Sequence, residues 1–447
     1  MNVLDYTYYY FIGAGGIGMS ALERYFKSLG KNVLGYDKTQ TELTKALMDE
    51  GIDIHFEDNV ALIPTEINPT NTLVIFTPAV PSDHQELNYF RTNNFTVLKR
   101  SQVLGEITKH TYSIGVAGTH GKTTTSSILG HVLKFADVNS TAFLGGVAEN
   151  YHSSIILNGS EVTVAEADEF DRSFLRLSPK LAIITSVDAD HLDIYGEREE
   201  VEKSFHEFGD IVEEKLFVRK GLNFPNALTY GVEEEADYVA KNVRIEDGHY
   251  VFDVQTPTKE IHNVGILLPG RHNMENALAA LAVADYMGID EKKIVEALAE
   301  FKGVKRRFNR FECNNDKIYI DDYAHHPNEL KAVIGSVREL YPAKKLLVVF
   351  QPHLYTRTSD FVDEFAESLS SVDELLLLDI YPARELPIEG VTSDWLLSKI
   401  TTEQKEVCSL DEAMDRLKTK EFDILLTVGA GNIDTLVKPI KEWLNDN

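Results

Sequence analysis

The chain has 447 residues, too many for one ordinary core, and its composition (43% apolar, 26% charged) is that of a globular protein of two to four domains, with three expected. A formal charge of −27 excludes non-specific nucleic-acid binding, which needs a basic surface. Two distant cysteines, Cys313 and Cys408, offer neither a disulfide framework nor a zinc spacing and fit a reducing cytoplasm. The N-terminus turns glycine-rich without a basic lead-in, so it reads as a strand rather than a signal peptide, and no apolar run is long enough to span a bilayer.

Short apolar runs alternate with helical patterns, the mark of parallel sheets with crossover helices. In such sheets ligands sit beyond the carboxyl ends of the strands, so chemistry is expected where the apolar runs stop. In the first unit, to about Gly105, Tyr8–Ile12, Val33–Tyr36 and Leu73–Thr77 read as strands, with a helix from about Met19. Gly13, Gly15 and Gly18 fit G-x-G-x-x-G between strand and helix, with Gly16 and Ile17 inside the turn and Asp37 at the end of the next strand, where a ribose-binding acid belongs. Such a turn brings backbone amides and a helix N-terminus to a pyrophosphate. A nicotinamide dinucleotide and a UDP-sugar suit it equally.

The second unit opens with the strand Tyr112–Val116 and the run Gly118-Thr119-His120-Gly121-Lys122-Thr123-Thr124. This resembles a P-loop shortened by two residues. Its amides would cradle phosphates, Lys122 would neutralise β/γ oxygens and the Thr123 hydroxyl would bind Mg²⁺. Glu166, Asp168 and Glu169 follow the strand Val162–Ala165; crowded carboxylates at a strand end repel unless a cation offsets them. Asp188, Asp190 and His191 follow the strand Leu181–Thr185 and extend the same possibility. Residues 215–268 read as short strands and turns, an antiparallel insertion. The helix Asn273–Met287 comes next, with Asn273 and Asn276 at its start; Asn273 serves equally as an N-cap.

Lys305-Arg306-Arg307-Phe308 marks a boundary, a basic cluster able to clamp phosphate in an acidic chain. The third unit starts near Arg310. Lys317–Ile320, Lys345–Phe350, Glu374–Leu378 and Phe422–Val428 read as its strands, and Asn328–Leu340 and Asp434–Leu444 as helices. Asp321–Pro327 ends its first strand and Gln351–Arg357 its second, so two His-rich turns share one cleft.

The glycine turn with Met19-Ser20, the Gly118–Thr125 loop, Glu166–Glu169, Asp188–His191, Gly270–Asn276, Lys305–Phe308, Asp321–Pro327 and Gln351–Arg357 occur in the order of the Mur ligases. Over essentially its whole length the chain resembles that family, most closely its alanine-adding branch. The resemblance implies an α/β chain of three domains: a Rossmann-like UDP-sugar domain, 1–107; a P-loop-type central ATPase domain with a small antiparallel insertion, 108–309; and a Rossmann-like C-terminal domain, 310–447, that closes over ATP and amino acid. It implies ligation of L-alanine to the lactoyl carboxylate of UDP-N-acetylmuramate through an acyl phosphate, at the expense of ATP with up to two Mg²⁺ ions. A cytoplasmic monomer or homodimer is expected, without nucleic acid or membrane.

By the same resemblance Lys122, His191 and Arg307 are catalytic, and Thr123, Glu166 and His191 hold metal. ATP is met by Gly118–Thr124, His272, Asn273, Asn276, Arg307, Asp322 and His325, the UDP-sugar by Gly13, Gly15–Gly18 and Asp37, and the amino acid by His353 and Arg357. Ala14 and Glu23 depart from the family, which has Ile and Ala there, and Leu354 and Ser359 stand where many relatives carry arginine. Sister ligases that add later residues carry a carbamylated lysine fourteen positions after the metal histidine; here that position is Phe205, which favours the alanine-adding branch. The competing readings are a recycling ligase that attaches a preformed tripeptide, an NAD-dependent oxidoreductase built on the first glycine turn, and a nucleotide sensor without turnover.

Overall fold

Three sheets organise the chain in this computed structural model, which describes residues 2–188, 198–246, 249–383 and 385–446. The first is all parallel, ordered β3-β2-β1-β4-β5, with β1 Tyr8–Ile12, β2 Asn32–Tyr36, β3 Asp53–His55, β4 Thr72–Phe76 and β5 Thr96–Lys99. Continuous apolar runs such as YYYFI and TLVIF suit strands covered on both faces. Tyr9 and Phe11 face the helix Ile17–Ser28, where Tyr9 stacks on Phe26 at 3.8 Å, and Tyr10 and Ile12 face the helix Gln85–Thr92. Each such ring, fully buried, contributes on the order of 2–3 kcal/mol of transfer free energy. Strand order reverses at β1, so the turn leaving β1 sits at a topological switch point, where a ligand is expected.

The second sheet has ten strands, ordered β15-β14-β13-β12-β11-β10-β6-β9-β7-β8. They are β6 Tyr112–Ala117, β7 Ser140–Ala148, β8 Ser153–Leu157, β9 Val162–Glu166, β10 Leu181–Ile184, β11 Lys215–Arg219, β12 Leu228–Val232, β13 Tyr238–Glu246, β14 His249–Gln255 and β15 Glu260–Ile266. β6 runs parallel to both β9 and β10, with Val116 beside Glu166 and Ala117 beside Ile184. The chain therefore leaves these three strands side by side. The stretch expected as an antiparallel insertion instead begins by extending this sheet. β11, β12 and β13 follow β10 in parallel, the last two pairings only three residues long. An antiparallel pair lies where none was expected, between β7 and β8.

The third sheet is ordered β16-β17-β21-β18-β19-β20, with β16 Asn309–Glu312, β17 Ile318–Asp322, β18 Leu346–Phe350, β19 Glu374–Leu378, β20 Gln404–Cys408 and β21 Ile424–Val428. Only the β16–β17 pairing is antiparallel. Asp322 pairs with Val428, which pairs with Phe350, so the turns after β17, β18 and β21 emerge together. The last expected helix divides into a tight turn, Asn432–Leu436, and a helix, Val437–Asp446.

By contacts the chain forms two compact units. One comprises Met1–Arg244, Val251–Leu267 and Met274–Lys302, and the other Ile245–Tyr250, Leu268–Asn273 and Gly303–Asn447. No helix among the described residues is long and apolar enough to cross a membrane.

Candidate active site

In the first unit, the turn after β6 is shaped by two glycines. Gly118 has φ +135°, and a Cβ there would lie 1.9 Å from Thr185 Oγ1. Gly121 has φ +82°, caps the helix Lys122–Phe135, and would place a Cβ 2.6 Å from Asn276 Oδ1. No side chain caps this helix, so the amides of its first turn remain open to an anion. Thr119 bonds Ser186 across the turn at 2.8 Å, and the His120 amide donates to Ser186 Oγ at 2.9 Å, tying the loop to the end of β10.

Lys122 donates to the Gly118 carbonyl at 2.6 Å and pairs with Glu169 at 2.8 Å. Burial presses the lysine's pKa down, but Glu169, Asp168 and Glu166 more than reverse this, and it stays raised and charged. Thr123 donates to Glu166 Oε1 at 3.1 Å, and the Gly145 amide donates to Glu166 Oε2 at 2.8 Å. Burial raises the pKa of Glu166 against the pull of Lys122, with Asp168 adding to the rise. A hydroxyl and a carboxylate at this spacing are hard oxygen donors, the set that Mg²⁺ takes while keeping several of its waters. Thr123 and Glu166 thus fit the ion. Asp188 accepts from Thr119 at 3.4 Å and lies 3.5 Å from His120. Asp190 and His191, the further expected metal-side residues, lie outside the described residues.

The turn after β1 is built differently. Gly13 has φ +90°, with Thr77 Cγ2 only 2.5 Å from where a Cβ would be. Asp37, expected at a ribose, instead holds the turn: Oδ2 accepts from the Gly15 amide at 2.6 Å and Oδ1 from the Thr39 amide at 2.9 Å. Gly16 caps the helix Ile17–Ser28, again with no side-chain cap. A cavity of about 360 Å³ runs from Gly16–Met19 past Arg100 and Gly145 to Glu166 and Asp168. It links the first glycine turn to the carboxylates beside Lys122. Arg100 and Gly145 were not anticipated from the sequence; each meets the site only through sheet pairing and helix packing.

The second unit gathers the two His-rich turns. The rings of His325 and His353 lie 5.9 Å apart, and His353 stacks on Tyr381. His325 Nδ1 lies 3.0 Å from the Tyr323 carbonyl and 3.4 Å from Glu329. Burial lowers the His325 pKa to about 4, against Glu329 and with help from Arg357. Burial and Arg357 also lower that of His353. Both imidazoles are therefore neutral near pH 7, beside a permanent guanidinium. Asp322 accepts from the amides of Phe308 and Ala324, both at 2.7 Å, and fixes the Arg307–Phe308 segment to the end of β17. Burial pushes its carboxyl up to about 6, with Arg307 the main opposing influence. Arg307 lies 5.3 Å over the Tyr323 ring and 3.7 Å from Glu329. His272 belongs to this group: burial lowers its pKa to about 4, with Glu329 opposing and Arg307 assisting.

The expected asparagine pair divides. Asn273 donates to the Pro269 carbonyl at 2.7 Å, whereas Asn276 accepts from Thr125 at 3.1 Å and packs on Gly121. A broader hollow of about 660 Å³, bordered by Arg338, Lys345, Asp373 and Gln404, lies at the amino ends of β18–β20, the wrong end for the chemistry of a parallel sheet.

Three family models match in chain order: Mur ligase family, catalytic domain, at residues 8–112; Mur ligase middle domain at 116–284; and Mur ligase, glutamate ligase domain, at 306–431. The chain belongs to the Mur ligase family. Among Mur ligases it is 54% identical to the UDP-N-acetylmuramate–L-alanine ligase of Flavobacterium johnsoniae, with all of both chains covered. It is 50% identical to that of Parabacteroides distasonis, over 99% of this chain and 98% of the relative. The crystal structure of UDP-N-acetylmuramate-alanine ligase MurC from Thermotoga maritima superposes with a TM-score of 0.82 at 28% identity, covering 97% and 98% of the two chains. A murein peptide ligase from Psychrobacter arcticus shares the fold, with a TM-score of 0.70 at 22% identity over 99% of each chain. In a Mur ligase the Lys122 turn and its facing carboxylates are thus elements of the middle domain.

Proposed function

We propose that this Mur ligase joins L-alanine to the lactoyl carboxylate of UDP-N-acetylmuramate at the expense of ATP, the first step of the peptidoglycan stem peptide, in the cytoplasm. The observation that carries the reading is the cavity running from the first glycine turn to Glu166, beside Lys122, in a chain half-identical throughout to L-alanine ligases. A dehydrogenase has no use for a second phosphate turn with a charged lysine. The identity over full length favours the alanine-adding reaction over tripeptide recycling.

The chemistry follows from charge. A carboxylate is a poor electrophile, so its oxygen first attacks the γ-phosphorus of ATP, the bond to ADP breaks and ADP leaves. The neutral amine of alanine then attacks the acyl carbon, the carbon–oxygen bond to phosphate breaks, and the amine loses its proton. Both steps bring anions together. Lys122, at the uncapped start of the helix Lys122–Phe135, is assigned to the transferring phosphoryl oxygens. Thr123 and Glu166, with His191, are assigned to Mg²⁺, up to two ions, which supply charge neutralisation and orient phosphate oxygens when bound. Gly118–Thr124 cradle ATP phosphates, with Asn276 shaping the loop, while Gly13–Gly18 take the UDP diphosphate and Asp37 belongs to the same UDP-sugar site. In residues 310–447 Asp322 and His325, with His272, Asn273 and Arg307 before them, are assigned to ATP. His353 and Arg357 are assigned to alanine, the guanidinium taking its carboxylate. Residues 1–107 and 108–309 make up the UDP-sugar and ATP domains.

The test is a substrate matrix. ATP and UDP-N-acetylmuramate are incubated with L-alanine, glycine, L-serine or L-Ala-γ-D-Glu-meso-diaminopimelate, and products are weighed by mass spectrometry. The expected product is the L-alanyl adduct, with one phosphate released per amide. Preference for the tripeptide, or turnover of a nicotinamide cofactor, overturns the reading.

A further inference from the structure

Arg100 begins the helix Arg100–Lys109, directly after β5. Its side chain lies flat against Gly18, in the first turn of the helix Ile17–Ser28: a Cβ on Gly18 would stand 2.9 Å from Nη1, 3.0 Å from Cδ and 3.1 Å from Cζ. Among the described residues the guanidinium has no hydrogen bond or ion pair of its own. Among the described residues that line the cavity of about 360 Å³ it is the sole basic one, and Glu166 and Asp168 are the acidic ones. An unpaired arginine in a partly enclosed cleft with two carboxylates has a use only if an anion enters.

The proposed UDP-sugar brings a diphosphate and a carboxylate into this space. The carboxylate must travel to the Lys122 end, past Glu166 and Asp168, so the diphosphate needs a cation at the other end. The open amides at Gly16–Gly18 supply partial positive charge there, and a guanidinium beside them supplies a full charge with a fork that matches two phosphate oxygens. Any side chain at position 18 would push that fork aside.

We propose that Arg100 binds the diphosphate of the UDP-sugar and that position 18 is glycine so that the guanidinium can lie there. This rests on the UDP-sugar reading of the cavity and names the specificity-determining cation within it.

The test uses the full chain with Arg100→Met, Arg100→Lys and Gly18→Ala. Steady-state KM is measured for each substrate, and calorimetry measures binding of UDP and of uridine. Loss of one charge-assisted phosphate contact predicts a KM for UDP-N-acetylmuramate raised roughly ten- to a hundredfold in Arg100→Met. KM for ATP and for L-alanine stays within about twofold. UDP binding weakens by the same factor as the UDP-sugar KM, uridine binding does not change, and Arg100→Lys falls between. Gly18→Ala reproduces the defect in wild-type background and adds little to Arg100→Met. If Arg100→Met does not fold, Arg100→Lys and Gly18→Ala carry the test, through loss of UDP affinity at an unchanged Tm. An unchanged UDP-sugar KM overturns the proposal. So does unaltered UDP binding alongside a raised UDP-sugar KM, which would move Arg100 to the lactoyl carboxylate. Wild-type protein that releases no phosphate with UDP-N-acetylmuramate and L-alanine overturns the ligase reading itself, before any variant is made.

Discussion

The two glycine-rich turns of the first unit use one backbone device and surround it with different chemistry. Each leaves a parallel strand and opens a helix with no side-chain cap. After β1, the first helical turn carries Ile17 and Gly18, with no ionisable group, and an acid, Asp37, grips the backbone from outside. After β6, the first helical turn carries Lys122 and Thr123, and three acids of one segment, Glu166, Asp168 and Glu169, act on the lysine. A turn that only holds a diphosphate needs shape, the partial charge of open amides and a fixed cation beside it, the part proposed for Arg100. A turn that transfers a phosphoryl group needs a charge-dense set that a metal ion can join and that changes its interactions as the bond breaks.

Breaking the second turn should therefore abolish turnover and spare the first. Lys122→Ala is expected to lower ligation by about three orders of magnitude or more, while calorimetric affinity for UDP-N-acetylmuramate stays near wild type. The variant should also lose stability, because Glu169 is 1% exposed and loses the buried ion pair with Lys122. Lys122→Ala/Glu169→Gln should regain Tm and not turnover. Ligation near the wild-type rate in either variant would remove Lys122 from the chemistry.

Metal removal separates the turns without mutation. Thr123 and Glu166 face each other at the second turn, whereas the polar side chain bound to the first, Asp37, is committed to backbone amides. Chelation with EDTA should stop phosphate release completely and leave UDP binding unchanged; magnesium should restore release. Loss of UDP affinity on chelation would place an ion at the first turn and erase the distinction.

Glycine substitutions give a smaller effect. Gly121→Ala meets a left-handed backbone and a contact 2.6 Å from Asn276 Oδ1, whereas Gly16 has φ −76° and its nearest neighbour would be Met19 Cγ at 3.5 Å. Gly121→Ala should cost about 1–3 kcal/mol by denaturant unfolding and Gly16→Ala less than about 0.5 kcal/mol. Equal costs would mean that the two turns share one strain.

The first and second turns were legible in the sequence because the residues that form each are consecutive in the chain, and backbone geometry follows from local glycines. The strands were legible as apolar runs for the same reason. Strand direction was not: alternation in residues 215–246 identifies a half-buried strand whether its neighbour is parallel or antiparallel, so the extension of the central sheet through β11, β12 and β13 stayed hidden. Contacts set by tertiary packing were also hidden. Arg100 against Gly18, Asn276 against Gly121, Gly145 against Glu166 and the Phe308 amide on Asp322 join positions 14 to 155 residues apart, and no local pattern marks them.

The smallest expected effect concerns Asp37, and it decides how the first turn holds its ligand. The acid at the end of the second strand is where a ribose contact is expected, yet here both carboxylate oxygens bond backbone amides, that of Gly15 at 2.6 Å. An anion so placed keeps the turn in shape by satisfying a donor that would otherwise compete for the diphosphate. Asp37→Asn keeps one acceptor and loses the charge, at a cost of about 1 kcal/mol, so KM for UDP-N-acetylmuramate should rise roughly three- to tenfold with kcat unchanged. Asp37→Ala should rise further. A ribose role predicts more: the variant and a substrate lacking the ribose 2′-hydroxyl would then remove one interaction from its two sides. In a double cycle of Asp37→Ala against 2′-deoxy substrate, the turn-holding role gives additive losses, whereas a ribose contact makes the second loss vanish once the first is made. Additivity within about 0.5 kcal/mol keeps Asp37 on the backbone; strong coupling would show that in the complex it leaves Gly15 for the sugar, and that the first turn reshapes on binding.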